Sequence, residues 1–112
     1  MAYGVVQLPW YATGFRGDDL EAALHKLAPY SLRYGATRYE VIRFRDDRYR
    51  FQMNTEWERK EDWDAFWFGE EFTDMRRSCS SWFTVPLLYA WADTVTIGQL
   101  REDEALVGDE QA

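Results

Sequence analysis

The stretch from Glu56 to Phe83 constrains the fold more than any other part of the chain. It is exceptionally rich in aromatic side chains, namely Trp57, Trp63, Trp67, Trp82, Phe66, Phe68, Phe72 and Phe83. This is far more aromatic surface than one short helical region buries against itself. We therefore expect these residues to cover one face of a small sheet built from the rest of the chain. Some of the rings should also face a partner subunit or a ligand.

Length and composition are those of a single globular domain. A chain of 112 residues, 46% of them hydrophobic and 29% charged, has room for one core. We assign residues 1–100 to this domain and residues 101–112 to an acidic, flexible tail without periodicity. No apolar run approaches the roughly 20 residues that span a bilayer, and the first residues do not resemble a secretory leader. With the single Cys79, which fits a reducing compartment, these features predict a cytoplasmic protein.

The charge of the chain restricts its partners. A net charge of −7 at neutral pH should repel both nucleic acids and anionic membrane surfaces. We therefore expect neither a nucleic-acid partner nor a membrane partner.

The first half of the chain predicts a strand followed by a helix. Residues 2–11 are typical of a strand that Pro9 restricts to a sheet edge or ends. An amphipathic helix follows, and Pro29 should kink or split it near Ala28. Its buried stripe is predicted from the helical spacing of Leu20, Leu24 and Leu27.

A β-hairpin follows, because the period of the sequence changes to two from Ala36 onward. A two-residue connection at Asp46 and Asp47 would place Ile42 opposite Phe51. A one-residue slip or a longer loop remains open, and a slip would change which residues share a face. In the two-residue register, the polar face of the hairpin carries Tyr39, Gln52, Asn54 and Glu56 together with Arg43, Arg45, Arg48 and Arg50.

The last third of the domain predicts a broken helix and a strand. The helix begins near Glu61 and breaks at Gly69. A long strand of alternating large and small residues then runs over 87–97. The complete order, β-α-β-β-α-β, predicts a ferredoxin-like α+β domain: a four-stranded antiparallel sheet with helices on one face and the other face open.

In this order of elements, over about residues 3–98, the chain resembles the dimeric α+β barrel superfamily, particularly its antibiotic biosynthesis monooxygenase-like group. The resemblance is carried by a third strand that ends in Glu56-Trp57, a charged turn, ERKED, and an aromatic helix. It implies a homodimer in which two sheets pack into a barrel, with a cavity in each subunit.

The resemblance also implies site residues. In monooxygenases of this group, a tryptophan on or near the second helix and an asparagine on a strand hold an aromatic substrate near oxygen. Trp63 or Trp67 and Asn54 occupy comparable positions here. Members that degrade haem carry a histidine near the end of the second helix, where this chain has Phe66, Trp67 and Glu71. We therefore expect no haem and no other cofactor.

The residues themselves support the same candidate site. Asn54 or Gln52 could donate a hydrogen bond to an oxyanion, and Glu56 or Tyr39 could move a proton if burial shifts its pKa. Trp63, Trp67 and Phe66 would form an apolar wall for the substrate. The alternatives are a wet dimer contact for the polar residues and core packing for the aromatic ones.

Two further groups of residues do not indicate a single function. His25, the only histidine, lies four residues after Glu21, but two ligands make a poor metal site, so we expect an exposed histidine and no metal. The arginines 43, 45, 48 and 50 are interpreted as a solvated hairpin tip, a docking surface for the acidic tail or a partner, or an anion site.

Two functions are consistent with these features. The first is a dimeric barrel that binds a small aromatic or apolar ligand, with cofactor-independent monooxygenation of quinol or polyketide-like aromatic compounds as the candidate reaction. The second is a non-catalytic, dimeric interaction protein that uses the arginine-rich hairpin and the acidic tail.

Overall fold

The computed structural model describes residues 3–100, so the predicted tail lies outside the described residues. The elements follow the predicted order, with a 3-10 helix after the first helix and a division within the second. They are β1 (Gly4–Tyr11), α1 (Gly17–Leu27), a 3-10 helix (Ala28–Tyr34), β2 (Ala36–Arg43), β3 (Arg50–Trp57), α2 (Lys60–Trp67), α3 (Glu70–Ser78) and β4 (Ala90–Asp93).

The four strands form one antiparallel sheet in the order β2-β3-β1-β4. Burial alternates along the two central strands, as expected when one face of a sheet is covered and the other is open. The covered face carries Val6, Leu8, Trp10, Phe51, Met53, Thr55 and Trp57, all buried in the core. The prediction of a ferredoxin-like α+β domain is confirmed.

Proline and glycine divide the helices where the sequence predicts. Pro29 stands in the first turn of the 3-10 helix, directly after α1 ends at Leu27. A proline cannot donate the backbone hydrogen bond that a continuing α-helix needs. The 3-10 helix ends at Gly35, whose φ of 114° lies in the left-handed region that favours glycine. Gly69 separates α2 from α3.

The hairpin has the slipped register, so the predicted pairing through Asp46 and Asp47 is wrong. Phe51 lies opposite Arg43, and Ile42 lies opposite Gln52. The connection is a six-residue loop, 44–49. The backbone N–H of Tyr49 donates to the Asp47 carboxylate at 3.1 Å, and that of Arg50 donates to the Asp47 carbonyl oxygen at 3.0 Å.

The slip has a simple physical reason. The predicted register would place Glu40 on the face that packs against the helices, where a carboxylate without a partner is costly to bury. In the observed register, Val41 and Phe51 face the helices and Glu40 faces outward. The prediction is therefore correct for the faces of β3 and wrong for those of β2.

The predicted edge position of β1 is also wrong. This strand lies between β3 and β4, but β4 pairs only with residues 4–7. At Pro9 the strand has β3 as its only neighbour, which suits a residue without an N–H donor. The last strand is shorter than the predicted 87–97 and covers only Ala90–Asp93. Because β1 begins at Gly4, which pairs with Asp93, the residues after Asp93 have no strand to pair with.

Candidate functional site

The polar residues of the predicted site lie on the open sheet face. The register assigns to this face Val5, Gln7, Pro9, Tyr11, Arg38, Glu40, Ile42, Gln52, Asn54, Glu56, Ala90 and Ala92. Gln52 Nε2 donates to Asn54 Oδ1 at 2.9 Å, and Asn54 Nδ2 donates to Glu40 Oε1 at 3.0 Å. Glu56 accepts a hydrogen bond from the Thr37 hydroxyl at 2.6 Å. The array is well connected and only half-buried.

Tyr39 does not belong to this array, so its predicted place beside Asn54 is wrong. The hairpin slip pairs Tyr39 with Thr55, on the covered face, and brings Glu40 opposite Asn54. Tyr39 instead lines a cleft of about 690 Å³ between α1 and β2, together with His25, Arg43 and Phe51.

Arg43 stands in this cleft with two acidic partners from α1. Its Nη1 lies 2.8 Å from Asp18 Oδ1 and 2.8 Å from Glu21 Oε1, while its side chain is 14% exposed. The hydrogen bonds that Arg43 donates to these carboxylates raise the pKa of Arg43 above its ordinary value. The prediction that Arg43 and Arg50 share a face of the hairpin is therefore wrong. The carboxylate partners of Arg43 come from α1. His25 is exposed, as predicted.

The predicted apolar wall lies on the other side of the sheet, between the strands and α2 and α3. Trp63 and Phe66 are fully buried, and Trp67 is partly buried. We call the group the aromatic layer; it consists of Trp10, Trp57, Trp63, Phe66, Trp67, Phe72 and Tyr89. Asn54 and Trp63 therefore lie on opposite sides of the sheet.

Phe72 lies at the centre of this layer. Its ring contacts those of Trp67 and Phe66, with both centroid distances at 5.0 Å. The Trp63 ring lies 6.1 Å away and the Trp10 ring 6.2 Å away. Most of these contacts are edge-to-face, the arrangement that the charge distribution of aromatic rings favours.

Three buried N–H groups around Phe72 have no acceptor within residues 3–100. They belong to Trp10 Nε1, Trp63 Nε1 and Arg76 Nη1. In contrast, Trp57 Nε1 donates to the buried Thr55 hydroxyl at 2.7 Å. Buried donors in folded proteins almost always have a partner, and an unpaired one is costly. All three residues lie near the Phe72 ring, and an acceptor that reached any of these donors would be stabilised.

Arg76 is the residue of this group that our sequence analysis missed. Its guanidinium carbon lies 4.1 Å from the centre of the Trp67 ring and 4.7 Å from that of Phe72. Its Nη2 donates to the Trp67 carbonyl oxygen at 2.7 Å. Burial lowers the pKa of Arg76. The signal was present in the sequence, since Arg76 follows Phe72 by four residues and such residues are neighbours on a helix.

Tyr89 closes the aromatic layer at its outer edge. Its ring lies 5.1 Å from that of Trp63 and 5.5 Å from that of Trp67. Lys60 Nζ is 3.3 Å from the Tyr89 hydroxyl oxygen. Tyr89 lies in the segment 84–89, which is neither helix nor strand.

A second groove lies between α1 and α3, with a volume of about 320 Å³. Met75 and Cys79 are among the residues that line it, and Cys79 is buried, as predicted.

Two features are absent from residues 3–100. No group of three or more His, Cys, Asp or Glu side chains is arranged to hold a metal ion. No helix there has the length and apolar character needed to cross a membrane.

Comparisons with known proteins support the fold. No protein-family model matches the sequence, and no curated protein matches it significantly. Among solved structures, a candidate antibiotic biosynthesis monooxygenase from Nitrosomonas europaea is 16% identical with a TM-score of 0.76, covering 83% of this chain and 90% of that one.

Two other solved structures show how widely the fold is shared. SnoaB, a cofactor-independent oxygenase from Streptomyces nogalater, is 12% identical with a TM-score of 0.72, covering 85% of this chain and 95% of that one. A Nitrosomonas europaea protein of unknown function is 12% identical with a TM-score of 0.75, covering 90% and 97%. At these identities the likeness is one of fold. The predicted resemblance is thereby confirmed: the chain has the α+β fold of the antibiotic biosynthesis monooxygenase-like proteins.

Proposed function

We propose that the protein is a homodimer that binds a small, flat, mostly apolar molecule in the aromatic layer. Its candidate reaction is cofactor-independent monooxygenation of quinol or polyketide-like aromatic compounds. The observation that carries the proposal is the pair of fully buried indole N–H groups, on Trp10 and Trp63, that have no acceptor within residues 3–100. A ligand oxygen at this place would satisfy donors that the protein leaves unpaired.

The chemistry of the layer suits such a reaction. An oxygenase without a metal or flavin needs a substrate that can form a carbanion, so its negative charge has to be delocalised onto an oxygen and stabilised there. The indole N–H groups of Trp10 and Trp63 lie in surroundings that exclude water, where hydrogen bonds to a developing oxyanion are strong. The partly buried Arg76 offers a further donor. Trp67 and Phe66 would supply the flat apolar walls.

We propose a different role for Asn54, Gln52 and Glu56. These residues lie on the open sheet face, where Ile42 and Tyr11 also expose apolar surface. A polar array with interspersed apolar residues is the composition of a dimer interface. In a homodimer, the open faces of two subunits would pack together and cover this array.

A second candidate function, protein interaction through the hairpin loop, is favoured by one observation. Arg45 and Arg48 are exposed, and neither has a carboxylate partner within the described chain. The chain leaves β4 at Asp93, beside Gly4, whereas the hairpin loop lies at the opposite end of β1, beyond Tyr11.

The test is a fluorescence titration of the purified dimer with quinols and polyketide-like aromatics, with oxygen uptake measured in parallel. Trp63→Phe keeps a ring but removes the indole donor, and we expect about fivefold weaker binding from the loss of about 1 kcal/mol. Trp82→Phe is the matched control, because that indole lies under Arg16, outside the aromatic layer.

The Asn54→Ala variant tests which face of the sheet binds the ligand. Loss of binding in Trp63→Phe with normal binding in Asn54→Ala would support a ligand in the aromatic layer. The reverse pattern would place the ligand between the two sheets of the dimer and contradict our proposal. No response to any compound would favour the interaction protein.

A further inference from the structure

Arg76 differs from the other arginines that are withdrawn from water in this protein. Arg43 is similarly enclosed, but it has carboxylates of Asp18 and Glu21 at 2.8 Å. Arg76 is partly buried between aromatic rings, and no Asp or Glu within residues 3–100 lies in ion-pair distance of it. A charge taken out of water without a partner is strongly destabilising.

The guanidinium is held in place rather than loosely disposed. Nη2 is fixed by the Trp67 carbonyl oxygen at 2.7 Å, and the rings of Trp67 and Phe72 pack against the guanidinium. Only Nη1 is left buried and without an acceptor. The group is therefore oriented in advance, with one donor and a full positive charge available.

We propose that Arg76 binds an anionic oxygen of the ligand, so that the site selects flat aromatic carboxylates or phenolates over their neutral analogues. This inference rests on the proposed ligand site in the aromatic layer and adds the chemical class of the ligand. The ligand supplies the counter-ion that Arg76 lacks within residues 3–100. Its aromatic part lies against the same rings that hold the guanidinium.

The proposal also assigns a role in the reaction. An arginine beside a phenolic oxygen stabilises the phenolate and therefore lowers the pKa of the bound phenol. The phenolate is the electron-rich form whose carbon atoms react with oxygen. Arg76 would thus both select the ligand and keep it in its reactive ionisation state.

The test compares two probes of nearly equal shape, 1-hydroxy-2-naphthoate and 1-hydroxy-2-naphthamide, bound to the full-length protein. Hydrogen bonds to charged groups are stronger than neutral ones, so the wild type should bind the carboxylate at least tenfold more tightly than the amide. Arg76→Gln should abolish this preference, because it removes the charge that distinguishes the carboxylate from the amide. Arg76→Lys should retain part of the preference, since it keeps the charge and loses the fork of donors.

Arg77→Gln is the matched control on the same helix. Arg77 is exposed and lies 3.4 Å from Asp74, so its replacement should leave the preference for the carboxylate unchanged. Circular dichroism and the denaturation midpoint establish that each variant is folded. Should Arg76→Gln fail to fold, the carboxylate-to-amide ratio of the wild type, measured at low and high salt, still decides the question.

The outcomes separate this inference from the proposed function. Equal binding of the two probes by the wild type, with Arg76→Gln indistinguishable from it, would overturn the role of Arg76 while leaving the aromatic ligand site intact. Binding of neither probe, and of no compound in the quinol series, would overturn both. A preference that disappears in Arg76→Gln alone would support both.

Discussion

At the residue scale, the core contains two kinds of buried tryptophan. The indole N–H of Trp57 donates a hydrogen bond to the hydroxyl group of Thr55, two residues earlier on the same strand. Trp10 and Trp63 are equally buried, but their N–H groups have no acceptor within the described chain. The difference distinguishes the indole that has an acceptor on its own strand from the two on which the proposed ligand site rests.

The first prediction concerns the structural pair. Thr55→Val preserves the shape of the side chain and removes the acceptor of the hydrogen bond from Trp57. We expect the free energy of unfolding to fall by about 1–3 kcal/mol, because a buried donor loses its only partner. Chemical denaturation monitored by circular dichroism measures this change. Thr94→Val, the same substitution at an exposed position, should change stability by less than about 0.5 kcal/mol. Equal stabilities of the two variants would contradict this account.

Burial could be predicted from sequence for several residues, but ring orientation could not. The exposed His25 and the buried Cys79 follow from helical spacing alone. Trp63, Phe66 and Trp67 share one helical spacing, and only packing against β3 and α3 decides which ring is fully covered. Arg76 was missed because a charged residue in the last turn of a helix is ordinarily interpreted as a partner of the helix dipole.

At the element scale, a hydrogen bond joins the 3-10 helix to α3. The Tyr34 hydroxyl donates to Glu71 Oε1 at 2.7 Å. This bond lowers the pKa of Glu71 below its ordinary 4.5 and raises the pKa of Tyr34 above its ordinary 10.0. The stabilisation from Glu71 is therefore fully present above pH 4.5 and is lost as the pH falls through the lower pKa of the folded state.

The second prediction follows from this pH dependence. Tyr34→Phe should return the pKa of Glu71 toward its ordinary value, as measured by NMR titration. The stability difference between the wild type and Tyr34→Phe should be largest near neutral pH and should shrink as the solution is acidified below the pKa of Glu71. Tyr30→Phe, on the same 3-10 helix, should leave the Glu71 pKa unchanged. A difference between wild type and Tyr34→Phe that stays constant from pH 7 to pH 3 would contradict the linkage.

Local sequence determines where the helices end, but it does not determine the register of the hairpin. Pro29 and Gly69 divide the helices as predicted, since both act through their own backbone chemistry. The hairpin register could not be read from Asp46 and Asp47, because the loop has six residues and the register is set by which side chains of β2 can be buried. Because the predicted register was wrong, the predicted site included Tyr39, which lies on the other face of the sheet.

At the scale of the whole molecule, the two faces of the sheet have different roles. The covered face holds the core and the proposed ligand site, while the open face carries half-buried polar residues beside exposed Ile42 and Tyr11. We propose that a second molecule completes the burial of this face. The order of elements could be predicted from sequence, but the separation of Asn54 from Trp63 by the sheet depends on register and was not foreseen.

The third prediction tests the dimer. Ile42→Glu places a carboxylate on the open sheet face, beside Glu40 and Asn54, and in a symmetric dimer the charge enters the interface twice. Burying unpaired charges is costly, so we expect the dissociation constant of the dimer to rise by at least about a hundredfold. Sedimentation velocity at micromolar concentration measures it.

Leu32→Glu is the matched control, because Leu32 is 50% exposed on the 3-10 helix and Ile42 is 41% exposed on the sheet. It should remain a dimer. A wild-type monomer, or an Ile42→Glu variant that dimerises normally, would exclude the open sheet face as the interface.

The most direct measurement of the ligand site is the indole region of an NMR spectrum of the nitrogen-15-labelled protein. Six tryptophans give six resolvable N–H signals, assigned by single Trp→Phe substitutions. During titration with 1-hydroxy-2-naphthoate, the signals of Trp63 and Trp10 should move downfield as they gain an acceptor, while the signal of Trp57, already bonded to Thr55, should stay nearly fixed. Unchanged Trp63 and Trp10 signals at saturating ligand would contradict a ligand site in the aromatic layer.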